Sequence, residues 1–249
     1  MDFGSTFGSG SVEIQFPHLS YYYWLDLGEM RDQFTGFGFR TPTYRDVEWP
    51  EFPKYEAAGR WEAASFEPHA WKNDYPNPAF VRMTDRDAFW AAKILMRFTE
   101  EELLAIVKTG EFSDPDVEAY FHEVLVERQQ KTGGFYLDRV NPLDGFVLSS
   151  GGLAWTNLAE DYGFASTGTE YEVFRSVYDN GVDDARTVGN PVRSARSSAA
   201  LPDAVTLGDE TYLMAEIRSD HPEFPAWASP VRVYLRAAGG GFEIVGIER

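Results

Sequence analysis

The 249-residue chain reads as an α+β protein. A mainly helical N-terminal region with a long aromatic- and proline-rich wrap is expected over 1–140. A small antiparallel β-sandwich-like domain is expected over 145–249. Three observations predict this. Residues 84–131 carry three closely spaced helix starts, with apolar positions recurring at i, i+3, i+4 and i+7. Residues 39–80 lose that periodicity, yet prolines alternate there with tryptophan, tyrosine and phenylalanine. Beyond Asn141-Pro142-Leu143-Asp144-Gly145, which reads as a turn, the apolar period falls to two.

Residues 1–11 are rich in Gly and Ser and are expected to form a flexible leader. Ser20 is the predicted cap of a first helix whose Tyr23, Leu27, Met30 and Phe34 share a stripe. Asp26, Glu29 and Asp32 fall mostly off that stripe and read as a solvated face. In 39–80, Pro42, Pro50, Pro53, Pro68, Pro76 and Pro78 forbid a long helix or a central strand. A disordered linker would be poor in rings such as Trp49, Trp61 and Trp71. The stretch is therefore expected to be an ordered strap docked on the helices.

The core helices are expected at about 84–131. Thr84 and Asp87 form a capping pair, and the helix behind them is apolar nearly all round, which predicts burial of Phe89, Trp90 and Ile94. Thr99 and Glu102 make a second capping box, with Leu103, Leu104, Ile106 and Val107 as the core face and Gly110 as the stop. Asp114 caps the third helix, Pro115 takes its first position, and Val117, Tyr120, Phe121, Val124 and Leu125 share its apolar face. Glu127 and Lys131 are spaced to pair, and Gly133-Gly134 is the predicted end.

Strands are expected at Thr169–Tyr178, around Leu213–Arg218, and at Val231–Arg236. A terminal hairpin follows, turned by Gly239-Gly240-Gly241 into Phe242–Ile247. Residues 182–201 read as a Ser/Ala/Arg-rich loop whose Arg186, Arg193 and Arg196 are too few for a polyanion site.

A net charge of −18, spread over both parts, argues against nucleic acid and anionic membranes as partners. The absence of cysteine excludes disulfides, thiolate zinc sites and a cysteine nucleophile. No apolar run is long enough for a transmembrane segment, and no signal peptide is read in this chain. His18, His69, His122 and His221 show no metal spacing, with His122 expected to pair with Glu118. No nucleophile elbow, phosphate loop or dinucleotide fingerprint appears. Asp183-Asp184 reads as solvated. The loop His221–Trp227 is a candidate surface for a protein or glycan ligand on the β domain.

Six stretches together resemble a known family: Asp2–Ser9, Trp71–Phe80, Met83–Lys93, Phe112-Ser113-Asp114-Pro115, Val231–Leu235 and the closing Val245–Arg249. The chain is similar through nearly its whole length to an uncharacterised family of exported bacterial proteins with a kinase-like region. Members are longer, with an upstream lobe carrying a lysine strand. The resemblance implies an atypical ATP-dependent phosphotransferase in the longer form, with Asp2 as a magnesium ligand bridging metal and ATP phosphates. The lysine and the catalytic-loop acid would precede Met1. This chain without the missing N-terminal lobe is therefore expected to be inactive, with no catalytic residue of its own. The resemblance also implies an exported or periplasmic location. The alternative is a non-catalytic binding or envelope-associated structural protein.

Overall fold

A computed structural model of the chain describes residues 7–10, 13–37, 39–149, 152–208 and 211–249. The protein is α+β, with helices and antiparallel sheets. It divides into two compact units, Met1–Thr84 with Ile94–Gly133, and Asp85–Lys93 with Gly134–Arg249. Among the described residues no helix is long and apolar enough to cross a membrane.

In the first unit, helix α1 spans Leu27–Thr35 and is capped by Asp26, whose Oδ1 accepts from the Glu29 amide at 3.1 Å. Ser20, the expected cap, has φ +75° and bridges to Lys72. An N-cap needs extended backbone, so Ser20 cannot serve there. Asp26 is not merely solvated: the Lys72 ammonium 2.7 Å away holds its carboxyl below the usual range. The α1 stripe is not a core face either, since Leu27, Met30 and Phe34 are all exposed. The short α2 (Pro78–Val81) is capped by Asn77.

Helix α3 covers Asp85–Leu95. Its burial is narrower than predicted. Ala88, Phe89 and Ala92 are buried, whereas Trp90 is 62% exposed and Ile94 is exposed as well. Two alanines four residues apart make a shallow groove, and Tyr136 and Phe135 pack into it. Phe89 is covered separately by Leu137 and Trp227, and the Trp90 ring, on neither face, stays wet. Helix α4 (Glu100–Lys108) has both halves of the Thr99/Glu102 capping box. Leu103 and Val107 are its buried positions, while Ile106 is exposed.

Helix α5 (Pro115–Leu137) begins where expected, with Asp114 Oδ1 accepting from the Asp116 amide. It does not stop at Gly133-Gly134. Each glycine costs about 1 kcal/mol in a helix interior, but burial of Leu137 contributes about 1.5–3 kcal/mol. Leu137 is fully buried with Phe89 and Trp227, and its carbonyl accepts from the Trp227 indole at 3.2 Å. Val107, Val117 and Phe121 form the first unit's core with Phe52, Tyr55 and Trp61.

In the second unit, β1 (Leu143–Ser149), β2 (Gly152–Asn157) and β6 (Ser198–Ala199) form one antiparallel sheet. The other contains β3 (Glu170–Asp179), β4 (Asp184–Thr187), β5 (Val192–Ser194), β7 (Tyr212–Asp220), β8 (Val231–Ala238) and β9 (Gly241–Glu248). Short helices α6 (Leu158–Asp161) and α7 (Ala204–Leu207) lie between strands. The expected turn at 141–145 is instead the start of β1. Gly145, at φ +60°, sits where the β1–β2 register shifts, so it makes a bulge rather than a reversal. Residues 182–201 are not a bare loop but supply β4, β5 and β6. Gly239 and Gly240 both have positive φ, as the two-residue turn between β8 and β9 requires.

Both sheets contribute to a single apolar cluster: Leu143, Leu153 and Trp155 from one, Val173, Leu213, Ile217 and Val233 from the other. Pro222, Glu223, Pro225 and Ala226 of the loop His221–Trp227 are exposed, but its aromatic rings are not presented. Trp227 is fully buried, His221 nearly so, and the Phe224 and Trp227 rings stack 4.5 Å apart. Its aromatic residues close the core under the η-turn Pro225–Ala228 instead of facing a ligand.

Candidate functional site

The site lies in the first unit, on the segment from Trp49 to Trp71, where regular structure is limited to the 3-10 turn Ala58–Arg60. Carbonyls in such a segment have no ladder to accept their hydrogen bonds, and a buried unpaired carbonyl is costly. Helix α5 supplies the donors. The Tyr120 hydroxyl donates to Trp61 O at 3.2 Å. Arg128 donates Nε at 2.8 Å, and Nη2, to Glu62 O. Lys131 Nζ donates to Ala63 O and, at 3.0 Å, to Ala64 O.

Gly59 sets the fold of the segment. A Cβ there would lie 1.8 Å from the Pro50 carbonyl oxygen, so only glycine lets the two stretches of chain touch. That approach brings the Trp49 ring within 5.1 Å of the Arg60 guanidinium. Arg128 is held more tightly still, its guanidinium 4.8 Å from the Trp61 ring centre and 4.5 Å from Phe66.

Glu62, which lines the same cavity as these cations, is only 6% exposed. A carboxylate removed from water is destabilising by several kcal/mol unless donors replace the lost hydration. Its Oε2 accepts from the Ser65 amide at 2.9 Å, and its Oε1 from the Ser65 and Tyr21 hydroxyls, the latter at 3.3 Å. Burial, chiefly, with the neighbouring Glu62 charge, raises the Tyr21 phenol above its ordinary value. It therefore stays protonated and donating at neutral pH. Burial likewise pushes Tyr120 up to about 12. Desolvation acts on Arg128 in the opposite sense, lowering it from the ordinary arginine value.

A cavity of about 260 Å³ opens against these groups, walled by Trp49, Phe66 and Trp71, with Arg60, Glu62 and Arg128 in its lining. Flat apolar walls with a few fixed polar groups are the elements of small-molecule recognition. None of these residues stood out in the sequence as a site. The one signal was the density of tryptophan in an aperiodic stretch.

Of the residues singled out in the sequence, those described lie elsewhere. Asp2 is outside the described residues, and among those described no group of three or more His, Asp or Glu is arranged to hold a metal ion. His122 Nε2 meets the Glu100 carbonyl at 3.0 Å rather than Glu118. Asp183 Oδ1 accepts from the Tyr178 hydroxyl at 2.9 Å, and Asp184 opens β4. In the second unit Ser166 Oγ and His221 Nε2 are 3.5 Å apart. That pair is not a nucleophile and its base, because His221 Nδ1 accepts from the Glu223 amide at 3.2 Å. In a neutral ring the proton then resides on Nε2, which can only donate to the serine.

Fold and site together define an α+β protein with a ligand-sized, aromatic-walled cleft. Compared with known proteins, the chain matches no family model, no curated protein and no solved structure.

Proposed function

We propose that this protein is a non-catalytic binding protein whose ligand is a small molecule seated in the cleft of the first unit. One observation carries the reading: a buried carboxylate and a ring-sandwiched guanidinium, each fixed by several hydrogen bonds, border a cavity instead of filling the core. Groups of this kind are destabilising to bury, and an apolar core would do without them. Their positions are preset, so a ligand would bind without ordering them first.

The test is a thermal-shift screen of a small-molecule library against the wild-type chain and Trp49→Ala. A ligand present at about 100 times its Kd stabilises the folded state by about 2.7 kcal/mol. Hits whose shift is lost in Trp49→Ala support the reading. Hits indifferent to that substitution, or a library without hits, refute it.

In this reading the helical N-terminal region and its aromatic wrap form the receptor. The sheets within 145–249, sharing one core, stack as a small sandwich. A protein or glycan contact by that domain would fall on the outer side of the larger sheet, where Tyr178 and Tyr234 lie 5.0 Å apart. The family resemblance carries a second reading, the C-terminal portion of a kinase-like phosphotransferase with Asp2 on magnesium. It rests on Asp2-Phe3-Gly4 read in the context of that resemblance. Magnesium-dependent ATP binding by a longer chain that includes the upstream lobe is its test.

A further inference from the structure

We infer that the cleft is built for an organic acid with a flat apolar ring, an aromatic carboxylate. The inference rests on the small-molecule reading above and goes on to the chemistry of the ligand.

The charged hydrogen-bonding groups left unspent in the lining are cationic. Both acids in the lining are committed or remote. Glu62 accepts from three donors on Ser65 and Tyr21. Glu67 is 67% exposed and faces His69 at 3.8 Å. The cations are not committed in the same way. Arg60 lies over Trp49 and makes no side-chain hydrogen bond or ion pair among the described residues. Arg128 spends Nε and Nη2 on the Glu62 carbonyl, which leaves Nη1 without a partner among the described residues.

Stacking on a ring uses the face of a guanidinium and leaves its N–H edge free. That edge matches a carboxylate, two parallel donors to two oxygens. An amine in the same place would instead meet two guanidinium charges, while the buried acid of the lining, Glu62, already accepts from three donors. The remaining wall includes Phe66 and Trp71, which suits a ring lying flat. A volume of about 260 Å³ is at the low end for ligand pockets, which limits the body to one ring or a fused pair. The overall charge of −18 works against an anion at long range. Selectivity for one must therefore come from contacts inside the cleft, and should survive in salt that screens the surface.

The experiment compares three probes of one shape on the full chain: 2-naphthoate, 2-naphthamide and 2-naphthylmethylamine. Affinity is read by calorimetry, and position by the indole N–H resonances of Trp49 and Trp71. The expected result is that the acid binds at least about tenfold more tightly than the amide, with the amine weakest. Arg60→Gln should remove that advantage while leaving amide binding within about twofold. Arg128→Gln is a poorer variant, because Arg128 also holds the Glu62 carbonyl. Amide or amine binding as tight as the acid overturns the acid assignment and leaves cleft binding standing. Binding of the acid that is unchanged in Arg60→Gln also overturns it. If no probe moves the Trp49 or Trp71 signal, the inference fails, and the library screen on Trp49→Ala judges the binding reading separately.

Discussion

Asp138 follows directly on the last residue of α5, and its Oδ1 is buried with no hydrogen-bond partner among the described residues. Burial pushes its carboxyl from the ordinary 3.8 up to about 6. The carbonyl end of the helix beside it also disfavours a negative charge. Below the unfolded value both states are protonated, and folding is free of any penalty at this position. As pH rises from about 4 the unfolded chain releases the proton while the folded one keeps it, so stability falls until the pH passes about 6. A shift of about two units corresponds to about 3 kcal/mol at most. Asp138 is only partly buried, and screening by water reduces the expected loss to about 1 kcal/mol. Asp138→Asn keeps the shape and removes the charge. It should stabilise the second unit by about 1 kcal/mol at pH 8, with the advantage vanishing near pH 4. Hydrogen exchange of the Leu213 and Val233 amides, deep in that unit's core, measures this at each pH. A destabilised Asp138→Asn at pH 8, or an advantage that does not shrink towards pH 4, would refute the reasoning.

Other expectations follow from single contacts. Gly59→Ala places a Cβ against the Pro50 carbonyl. Backbone must shift there, so a loss of about 1–3 kcal/mol is expected in thermal melts, with Trp49 emission changing as it leaves Arg60. Trp90→Ala should alter stability by less than about 0.5 kcal/mol, because the ring is exposed, whereas Phe121→Ala should cost about 3–5 kcal/mol. Equal losses in the two variants would contradict the packing described. Tyr120, at about 12, titrates late, so its contribution is intact below pH 10 and lost between about 10 and 12. Spectrophotometric titration of the phenols should lose one late-ionising group in Tyr120→Phe; an unchanged curve would count against its burial.

What could be read from sequence was what is decided within a few residues. The Thr99/Glu102 box and the Asp114-Pro115 start involve side chains and amides two or three positions apart, so local spelling is enough. The α+β class followed from the change of period after residue 142. Burial was less legible, because it depends on what arrives from elsewhere. Trp90 and Phe89 are neighbours of equal promise, and what separates them is that Leu137 and Trp227, distant in sequence, cover Phe89. The glycines at 133 and 134 spell a helix end, yet Leu137 and Trp227, ninety positions apart, hold the helix together beyond them. The cleft was hidden for the same reason. Tyr21, Glu62 and Arg128 span more than a hundred residues and share no spacing, and Gly59 gives no hint that a carbonyl lies against it.

The grip of α5 on residues 61–64 has a consequence for how this protein can change. Tyr120, Arg128 and Lys131 hold main-chain oxygens, which every amino acid carries. Apart from Gly59 and the Trp61 and Phe66 rings against Arg128, side chains along the strap can therefore be exchanged without loosening the mooring. A lineage could retune what the cavity accepts through such swaps, so long as the three anchoring residues on the helix stay as they are.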